Sequence, residues 1–519
     1  MEKFAWGAKI RADCDTDYAD SATTRDVTKV WLQSRGLGAS RVYRAGTLRY
    51  TLGGVVAVFV WMLLGNFCLS LMEAVFPTVL PLTLKRLHAS NATIGLLITT
   101  LPMAMNMIIT PVVSYRSDRH RGRLGRRIPY LLWPTPFVTL FLIALGFSDQ
   151  LGRWLYQAVV PLAASLSPTT VIFCTIGLCV VLFEFFNMFI MSVYYYLFND
   201  VVPEELMGRF YGLFSVVGAG GGFVFNYFIL QFAAIAAMQK WIYVGTGLVY
   251  LLGFGLMCWR VKEGEYPPPL EARAAEAPVF KRLSTAVRTY LFECFSLPYY
   301  WWFYLGTALY AMGLACLLGF RIFFAFHLAL NLAEVGKVMA AVFVVRILFS
   351  WPLGWLSDKL HSIRLNLLAV AFTLVVMLMS GWFIHSRMSF WLWTLVWALA
   401  WTAYTSSNNP LYPQLLPKRQ FGQFASAASI FNALGMMAAG YGGGVFLDWV
   451  GRIRHADEYR AIYWWGAFFT ALSLIFLWLV YRGWQRYGGR QHYAAPVRVP
   501  GVGVILEPHD GPGLEANSA

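Results

Sequence analysis

Twelve long apolar stretches, separated by short polar segments, dominate the pattern of the chain. A helix rises about 1.5 Å per residue, so about 20 apolar residues cross the hydrocarbon core of a bilayer. The stretches are continuous and do not alternate in polarity, which favours helices over the strands of a membrane barrel. We number them spans 1 to 12, near residues 51–80, 92–114, 128–147, 169–197, 210–235, 241–259, 299–326, 335–356, 365–384, 389–412, 422–447 and 461–481. The pattern predicts an all-α polytopic membrane protein.

Basic residues concentrate in alternate connecting segments. Most of the 41 Lys and Arg residues lie before span 1, after span 2, after span 6 and after span 12. Segments rich in Lys and Arg stay on the cytoplasmic side of a membrane. We therefore predict cytoplasmic N- and C-termini and a multi-pass protein of the plasma (inner) membrane.

The spans divide into two groups of six. The predicted parts are a cytoplasmic N-terminal segment (1–49), a six-helix half (50–259), a cytoplasmic central loop (260–297), a second six-helix half (298–482) and a cytoplasmic tail (483–519). The loop contains EGEYPPPLEARAAEAP, which is typical of a tether. The tail is rich in Gly and Pro, which predicts disorder.

The two halves repeat each other's local motifs. Span 2 ends in Tyr-Arg-Ser-Asp at 115–118 and span 8 in Trp-Leu-Ser-Asp at 355–358. Glycine runs occur at matching places in spans 5 and 11, at 218–222 and 440–444. Because no Lys-Ser/Thr follows these runs, we interpret them as close helix-packing sites and not as phosphate loops. A six-plus-six repeat is typical of transporters that alternate access around a central site.

The loop after span 2 reads SYRSDRHRGRLGRRIPYLL over residues 114–132. It resembles the loop signature of the major facilitator superfamily, and most closely that of the glycoside–pentoside–hexuronide:cation symporters and the related sucrose transporters. The resemblance implies a twelve-helix fold in two halves and coupled transport of a sugar or glycoside. It also implies a conformational latch at the cytoplasmic helix ends, for which the candidates are Asp118, Arg119, Gly125, Arg126, Arg127 and, in the second half, Asp358. The alternative is that these arginines only orient the chain in the membrane.

Two acidic residues inside spans are candidates for ion coupling. Glu184 lies near the middle of span 4, with Asn187 one turn later on the same face. Glu73, towards the outer end of span 1, is the second candidate. Span 2 carries no acid where sodium-coupled members of the resembled family have one, so protons are the predicted coupling ion. The alternative for Glu184 is a protonated carboxyl that hydrogen-bonds within the bundle.

Arg346, near the middle of span 8, must face a cavity or a carboxylate because an arginine stays charged. We predict that it contacts substrate or pairs with Glu184 or Glu73. Arg321, near the end of span 7, is expected to reach outward to the interface. Amides and flat aromatic rings suit a hydroxylated cargo, and the further substrate-binding candidates are Asn66, Asn187, Asn226, Asn408, Asn409, Trp401 and Tyr404.

Composition narrows the function further. The chain is 58% hydrophobic and only 13% charged, about half the charge of an average soluble protein. The net charge is +15, and the basic residues that produce it flank the spans. Their position indicates a role in orienting the chain in the membrane and not nucleic-acid binding. The seven cysteines lack metal-ligand spacing, and there is no nucleotide motif or Ser-His-Asp set. We expect no cofactor, no metal and no enzymatic activity.

The sequence thus predicts a monomeric secondary transporter whose partners are a sugar-like small molecule, protons and the lipid bilayer. Two alternatives stay open. The cargo could be an anionic solute such as a hexuronide or an organic acid, as Arg346 suggests. The chain could instead be a non-transporting sensor or assembly factor built on the same fold.

Overall fold

The computed structural model describes residues 43–45, 47–159, 167–264, 288, 290–417, 420–454, 459–499 and 503–508. Within them, helices occupy all twelve predicted spans. Spans 1 to 6 comprise Leu52–Arg86; Asn91–Gly95 with Leu101–Arg119; Ile128–Leu132 with Pro134–Gly146; Pro168–Val201; Met207–Val224; and Ala236–Arg260. Spans 7 to 12 comprise Pro298–His327, Leu332–Leu360, Ser362–Phe383, Arg387–Leu415, Phe421–Arg454 and Ala461–Arg486. The prediction of an all-α membrane fold is confirmed.

Shorter elements connect or extend these helices. Span 2 passes through a π-helical turn at Leu96–Thr100, and span 5 continues through a second π turn at Phe225–Ile229 and a 3₁₀ turn at Leu230–Ala234. The remaining helical elements are Ser148–Val159, Glu204–Leu206 and Gly489–His492. Two antiparallel hairpins pair β1 (Tyr43–Ala45) with β2 (Leu48–Tyr50) and β3 (Ala494–Val499) with β4 (Gly503–Pro508).

Spans 8 and 10 carry polar side chains within their length. Ten helices of the described chain are long and apolar enough to cross a membrane, and these two are not among them despite their 29 residues each. Span 8 carries Glu334, Lys337 and Arg346, and span 10 contains the polar run TAYTSSNN. They pack against each other. Polar side chains inside a membrane bundle face a cavity or other parts of the protein. We therefore expect the cavity to lie beside spans 8 and 10.

The two halves use the same set of helix contacts. Span 1 packs on spans 5 and 6, as span 7 packs on spans 11 and 12. Span 3 lies between spans 4 and 6, as span 9 lies between spans 10 and 12. Span 4 contacts span 2, as span 10 contacts span 8. The architecture is therefore two six-helix halves with equivalent packing.

The halves meet where span 2 packs on span 11 and where span 5 packs on span 8. Spans 2 and 5 carry the two π turns at these contacts, a distortion common at functional sites. The packing interpretation of the glycine runs is confirmed. A Cβ on Gly440 would come within 2.6 Å of Thr100 Oγ1, and one on Gly221 within 2.9 Å of the Phe67 carbonyl oxygen. Only residues without side chains allow these helices to approach so closely.

The prediction of a disordered tail is wrong for the described residues up to 508. The β3–β4 hairpin lies against the second half, where the Tyr300 hydroxyl donates a hydrogen bond to the Pro496 carbonyl oxygen at 2.9 Å. The Tyr493 hydroxyl donates one to the Leu415 carbonyl oxygen at 2.7 Å. Residues 509–519 lie outside the described chain.

Candidate functional site

A polar cavity of about 360 Å³ lies between the two halves. The first half contributes Asn66, Ser70 and Glu73 from span 1 and Ser215 from span 5. The second half contributes Arg346 and Phe343 from span 8. A carboxyl group and a guanidinium group therefore face one shared cavity from opposite halves. We call it the polar compartment.

Glu73 lies deeper than its sequence position suggested. The sequence places it towards the outer end of span 1, but the helix continues to Arg86 and so brings Glu73 to the central cavity. Glu184 lies behind it, with only 4% of its surface exposed. Glu184 interacts electrostatically with Glu73, and Asn187 follows it one turn further along the same helix. The two acids thus form a neighbouring pair, of which Glu73 has access to the cavity.

Glu184 and Arg346 do not form an ion pair in the described chain. The Arg346 guanidinium carbon lies 4.5 Å from the centre of the Trp401 ring. The Trp397 ring stacks on Trp401, with ring centres 5.1 Å apart and an interplanar angle of 23°. The predicted pairing of Arg346 with Glu184 is therefore not present, because the two side chains contact different helices.

An apolar compartment of about 300 Å³ adjoins the polar one and shares Ala74 and Phe343 with it. Its further lining residues include Asn226, Arg321, Val335, Met339, Val342 and Trp401. The expectation that Arg321 reaches outward to the interface is wrong. Its guanidinium carbon lies 4.6 Å from the centre of the Trp397 ring, and 8% of the residue is exposed. The composition of span 7 gave no signal for this placement.

The predicted amides play different roles. Asn66 Nδ2 donates to the Phe214 carbonyl oxygen at 2.7 Å, which ties span 1 to span 5, while Asn66 still lines the polar compartment. Asn226 Nδ2 donates within its own helix, to the Gly222 carbonyl oxygen at 2.8 Å. The buried Oδ1 atoms of Asn187 and Asn408 accept no hydrogen bond from the described residues.

The predicted aromatic platforms are already covered. Tyr404 stacks on Tyr310 with ring centres 3.7 Å apart. Trp401 lies between Trp397 and the Arg346 guanidinium. Asn409, next along the same helix, is exposed and does not line either compartment. Span 10 therefore supports the cavity wall more than it offers a free ring face.

The loop after span 2 is held within the first half by its arginines. Arg126 Nη2 lies 2.5 Å from Asp200 Oδ1 and Arg127 Nε lies 3.3 Å from Asp200 Oδ2, at the end of span 4. Glu263, just after span 6, accepts hydrogen bonds from the backbone nitrogens of Arg126 at 2.9 Å and Arg127 at 2.8 Å. The side chains of the other latch candidates, Asp118, Arg119 and Asp358, lie outside the described part of the chain.

Hydrogen bonds join the two halves near the start of span 2. Asp448 Oδ2 accepts a hydrogen bond from the Ala92 backbone nitrogen at 3.0 Å, and the Tyr459 hydroxyl donates one to Asn91 Oδ1 at 3.0 Å. Thr100 Oγ1 accepts from the Tyr441 backbone nitrogen at 2.9 Å. We call this set the junction. The sequence analysis missed it, although an acid near the end of an apolar helix was a usable signal in Asp448.

The described residues contain no group of three or more His, Cys, Asp and Glu side chains able to hold a metal ion. The chemistry available at the site is that of two carboxyl groups, two guanidinium groups, amides and hydroxyls. These groups can bind a polar solute and exchange a proton, and they lie where two movable halves meet.

Residues 62–440 match the sequence profile of the Major Facilitator Superfamily. This chain belongs to that superfamily. It is an integral multi-pass membrane transporter of a small molecule and not an enzyme. No curated protein sequence matches the chain.

Solved structures of other superfamily transporters share the fold. A D-xylose–proton symporter is 13% identical, covers 82% of this chain and 97% of its own, and has a TM-score of 0.61. The nucleoside transporter NupG is 11% identical, with coverages of 82% and 100% and a TM-score of 0.60. A bacterial homologue of the human lysosomal transporter Spinster is 15% identical, with coverages of 83% and 97% and a TM-score of 0.57. At these identities the likeness establishes the fold.

Proposed function

We propose that this superfamily member carries a hydroxylated organic acid, such as a hexuronide, together with protons. The observation that carries the proposal is the setting of Arg346, a guanidinium that lines the polar compartment and has no carboxylate within 4 Å in the described chain. A guanidinium binds a carboxylate through two parallel hydrogen bonds. Opposite it, Asn66, Ser70 and Ser215 offer amide and hydroxyl groups to the hydroxyls of a sugar ring.

A neutral sugar or glycoside is the second candidate. The polar wall of span 1 and the loop of residues 114–132 favour it, since that loop resembles the glycoside–pentoside–hexuronide symporters. Sugar binding commonly uses an open aromatic face. The Tyr404 ring is buried against Tyr310, and the Trp401 ring stacks with Trp397 and Arg346 and lines the apolar compartment instead of the polar one. The acid is therefore the better fit.

The proposed coupling group is Glu73, with Glu184 behind it. Two carboxylates near each other in apolar surroundings cannot both carry charge without a large cost, so the pair retains a proton readily. When Glu73 is ionised, it is the charge that faces Arg346 across the polar compartment. When it takes a proton, Arg346 is free to bind the carboxylate of the substrate. The loaded and empty cavities then carry the same net charge.

The transport cycle follows from the two halves. The junction opens to admit the acid and a proton, and the halves then rock so that the opposite end opens. We further propose a monomer in the plasma (inner) membrane, with both termini in the cytoplasm. The parts that move as bodies are 50–259 and 298–482, joined by the loop 260–297 and flanked by 1–49 and 483–519.

The decisive experiment compares two labelled solutes that differ only at C6 of the sugar ring, where one carries a carboxylate and the other a hydroxymethyl group. Phenyl glucuronide and phenyl glucoside are offered to proteoliposomes with and without an inward proton gradient. We expect the gradient to drive accumulation of the glucuronide alone. Arg346→Gln should lower its uptake about tenfold or more, because a hydrogen bond to a charged group contributes about 1.5–3 kcal/mol.

Arg387→Gln is the matched control, because Arg387 forms an exposed ion pair with Glu334 away from the cavity. If the protein takes up the glucoside, and if Arg346→Gln leaves that uptake unchanged, the neutral-sugar alternative is established. Uptake of neither solute nor of a wider panel of sugars and acids would favour a sensor or assembly factor.

A further inference from the structure

Among the described residues, the buried cation Arg321 has no carboxylate partner. Its Nη1 atom is buried and has no hydrogen-bond partner, and its Nη2 atom donates only to Met339 Sδ, at 2.8 Å. A thioether sulfur is a weak acceptor. The guanidinium lies over the Trp397 ring, and the Tyr463 phenol is also nearby. Every group identified around it is therefore uncharged.

The described chain offers this guanidinium no carboxylate within 4 Å. An unpaired charge removed from water is destabilising, even where a protein relaxes around it. The stack on Trp397 offsets part of that cost without supplying a negative charge. The described chain alone thus leaves part of the free-energy cost of burying the Arg321 charge uncompensated, and a bound anion would offset that cost.

The apolar compartment gives an anion room beside Arg321. It has a volume of about 300 Å³, and its walls include Val335, Met339, Val342 and Phe343. Asn226 from the other half also lines it. A fully hydrated inorganic ion gains nothing from such walls, whereas a hydrocarbon group does. The surroundings select an anion attached to an apolar body.

We propose that Arg321 is the anion-binding residue of a second subsite, which takes a carboxylate carried on an aryl or alkyl group. This goes beyond the proposed uronide site, because it concerns another guanidinium in another compartment. The guanidinium of Arg321, which lines the compartment and carries no hydrogen bond on its buried Nη1, would bind the carboxylate. The aryl or alkyl group would lie between spans 7 and 8.

The test uses the purified full-length protein in detergent, with phenylacetate as the probe and phenylacetamide as its uncharged counterpart. We expect millimolar phenylacetate to raise the midpoint of thermal unfolding and phenylacetamide to leave it nearly unchanged. Arg321→Met should abolish the response. It should also raise the midpoint of the unliganded protein, because it removes an unpaired buried charge while filling similar space.

Two further variants locate the binding and guard against misfolding. Arg321→Lys keeps the charge and should fold, but it loses the planar fork, so its response to phenylacetate should be weaker. Arg346→Gln should keep the response in full, whatever it does to uronide transport. A response lost in Arg346→Gln and kept in Arg321→Met would overturn the proposal, and so would an Arg321→Met variant that folds and responds as the parent does. An unliganded midpoint lowered by Arg321→Met and by Arg321→Lys alike would assign Arg321 a structural role instead.

Discussion

Asp448 in the second half caps the N-terminus of span 2 in the first half. Its Oδ1 atom accepts hydrogen bonds from the Asn91 backbone nitrogen at 3.1 Å and from Asn91 Nδ2 at 2.8 Å. The first N–H groups of a helix have no partner within the helix, and an acid there also meets the positive end of the helix dipole. A capping interaction that normally stabilises one helix here joins two rigid bodies. It must break whenever the junction opens.

Asp448→Asn should shift the conformational equilibrium towards states in which the junction is open. The amide keeps one acceptor oxygen but loses the charge, which costs about 1–2 kcal/mol and corresponds to about a tenfold change in population. Spin labels at His88 and Met388, both exposed and in opposite halves, would report the change as a longer distance. The background should carry Cys174→Ser, because Cys174 is exposed, and Cys14→Ser.

The control for that measurement is Glu334→Gln, since Glu334 caps the N-terminus of its own span 8 and does not join the halves. Distance distributions that are identical in Asp448→Asn and the parent would show that the cap does not hold the junction closed.

Gly440→Ala should impair transport and closure of the junction. The added methyl group would come within 2.6 Å of Thr100 Oγ1 and 2.7 Å of the Gly95 carbonyl oxygen. Gly442→Ala, two residues along the same helix, meets nothing closer than 3.7 Å and serves as the control. Initial uptake rates of the two variants, reconstituted at equal density, provide the comparison. Equal rates would mean that spans 2 and 11 separate far enough to accept a methyl group throughout the cycle.

Glu73→Gln should abolish accumulation against a gradient and leave counterflow, the exchange of substrate without net proton movement. The amide imitates the protonated carboxyl permanently, so no proton is released on the far side. Glu184→Gln should retain part of the accumulation, because Glu184 is only 4% exposed and lies behind Glu73. Both variants are measured under the same imposed proton gradient. The reverse pattern would assign coupling to Glu184, as its position in span 4 first suggested.

Gly125→Ala should destabilise the loop after span 2 by about 1–3 kcal/mol. Gly125 has φ = 98°, a left-handed conformation that costs an L-residue energy, and an added Cβ would lie 2.6 Å from the Glu263 carboxyl carbon. The carboxylate would then lose its hydrogen bonds to the start of span 3. The midpoint of thermal unfolding should fall.

Gly245→Ala is the control for this loop, because a Cβ there meets nothing within 4 Å and the residue lies in the helix of span 6. Its midpoint should stay level or rise slightly. If Gly125→Ala unfolds at the parent's temperature, the loop does not depend on the Glu263 cap for its stability.

Several features of the molecule could be predicted from residues alone. The spans follow from the demand that a chain in hydrocarbon satisfy its own backbone hydrogen bonds, which makes each span a long and largely apolar helix. The glycine runs at 218–222 and 440–444 were interpretable because only small residues permit close helix contact. Glu73 and Arg346 were identifiable as site candidates because a charged side chain inside a membrane is energetically costly and therefore marks a functional position.

The partners of those charges were decided by the tertiary structure. Sequence position gives the depth of a residue along its helix, and Glu184 and Arg346 are near the middle of their helices. The direction in which each points depends on how the helix is rotated and on which neighbour it packs against. That rotation places Glu184 beside Glu73 and Arg346 on Trp401. It also turns Arg321 inward over Trp397, although its position near a helix end allowed it to reach the interface. The depth of a residue in the membrane depends on its own helix alone. The direction of its side chain depends on how the helices pack together, so only the tertiary structure fixes that direction.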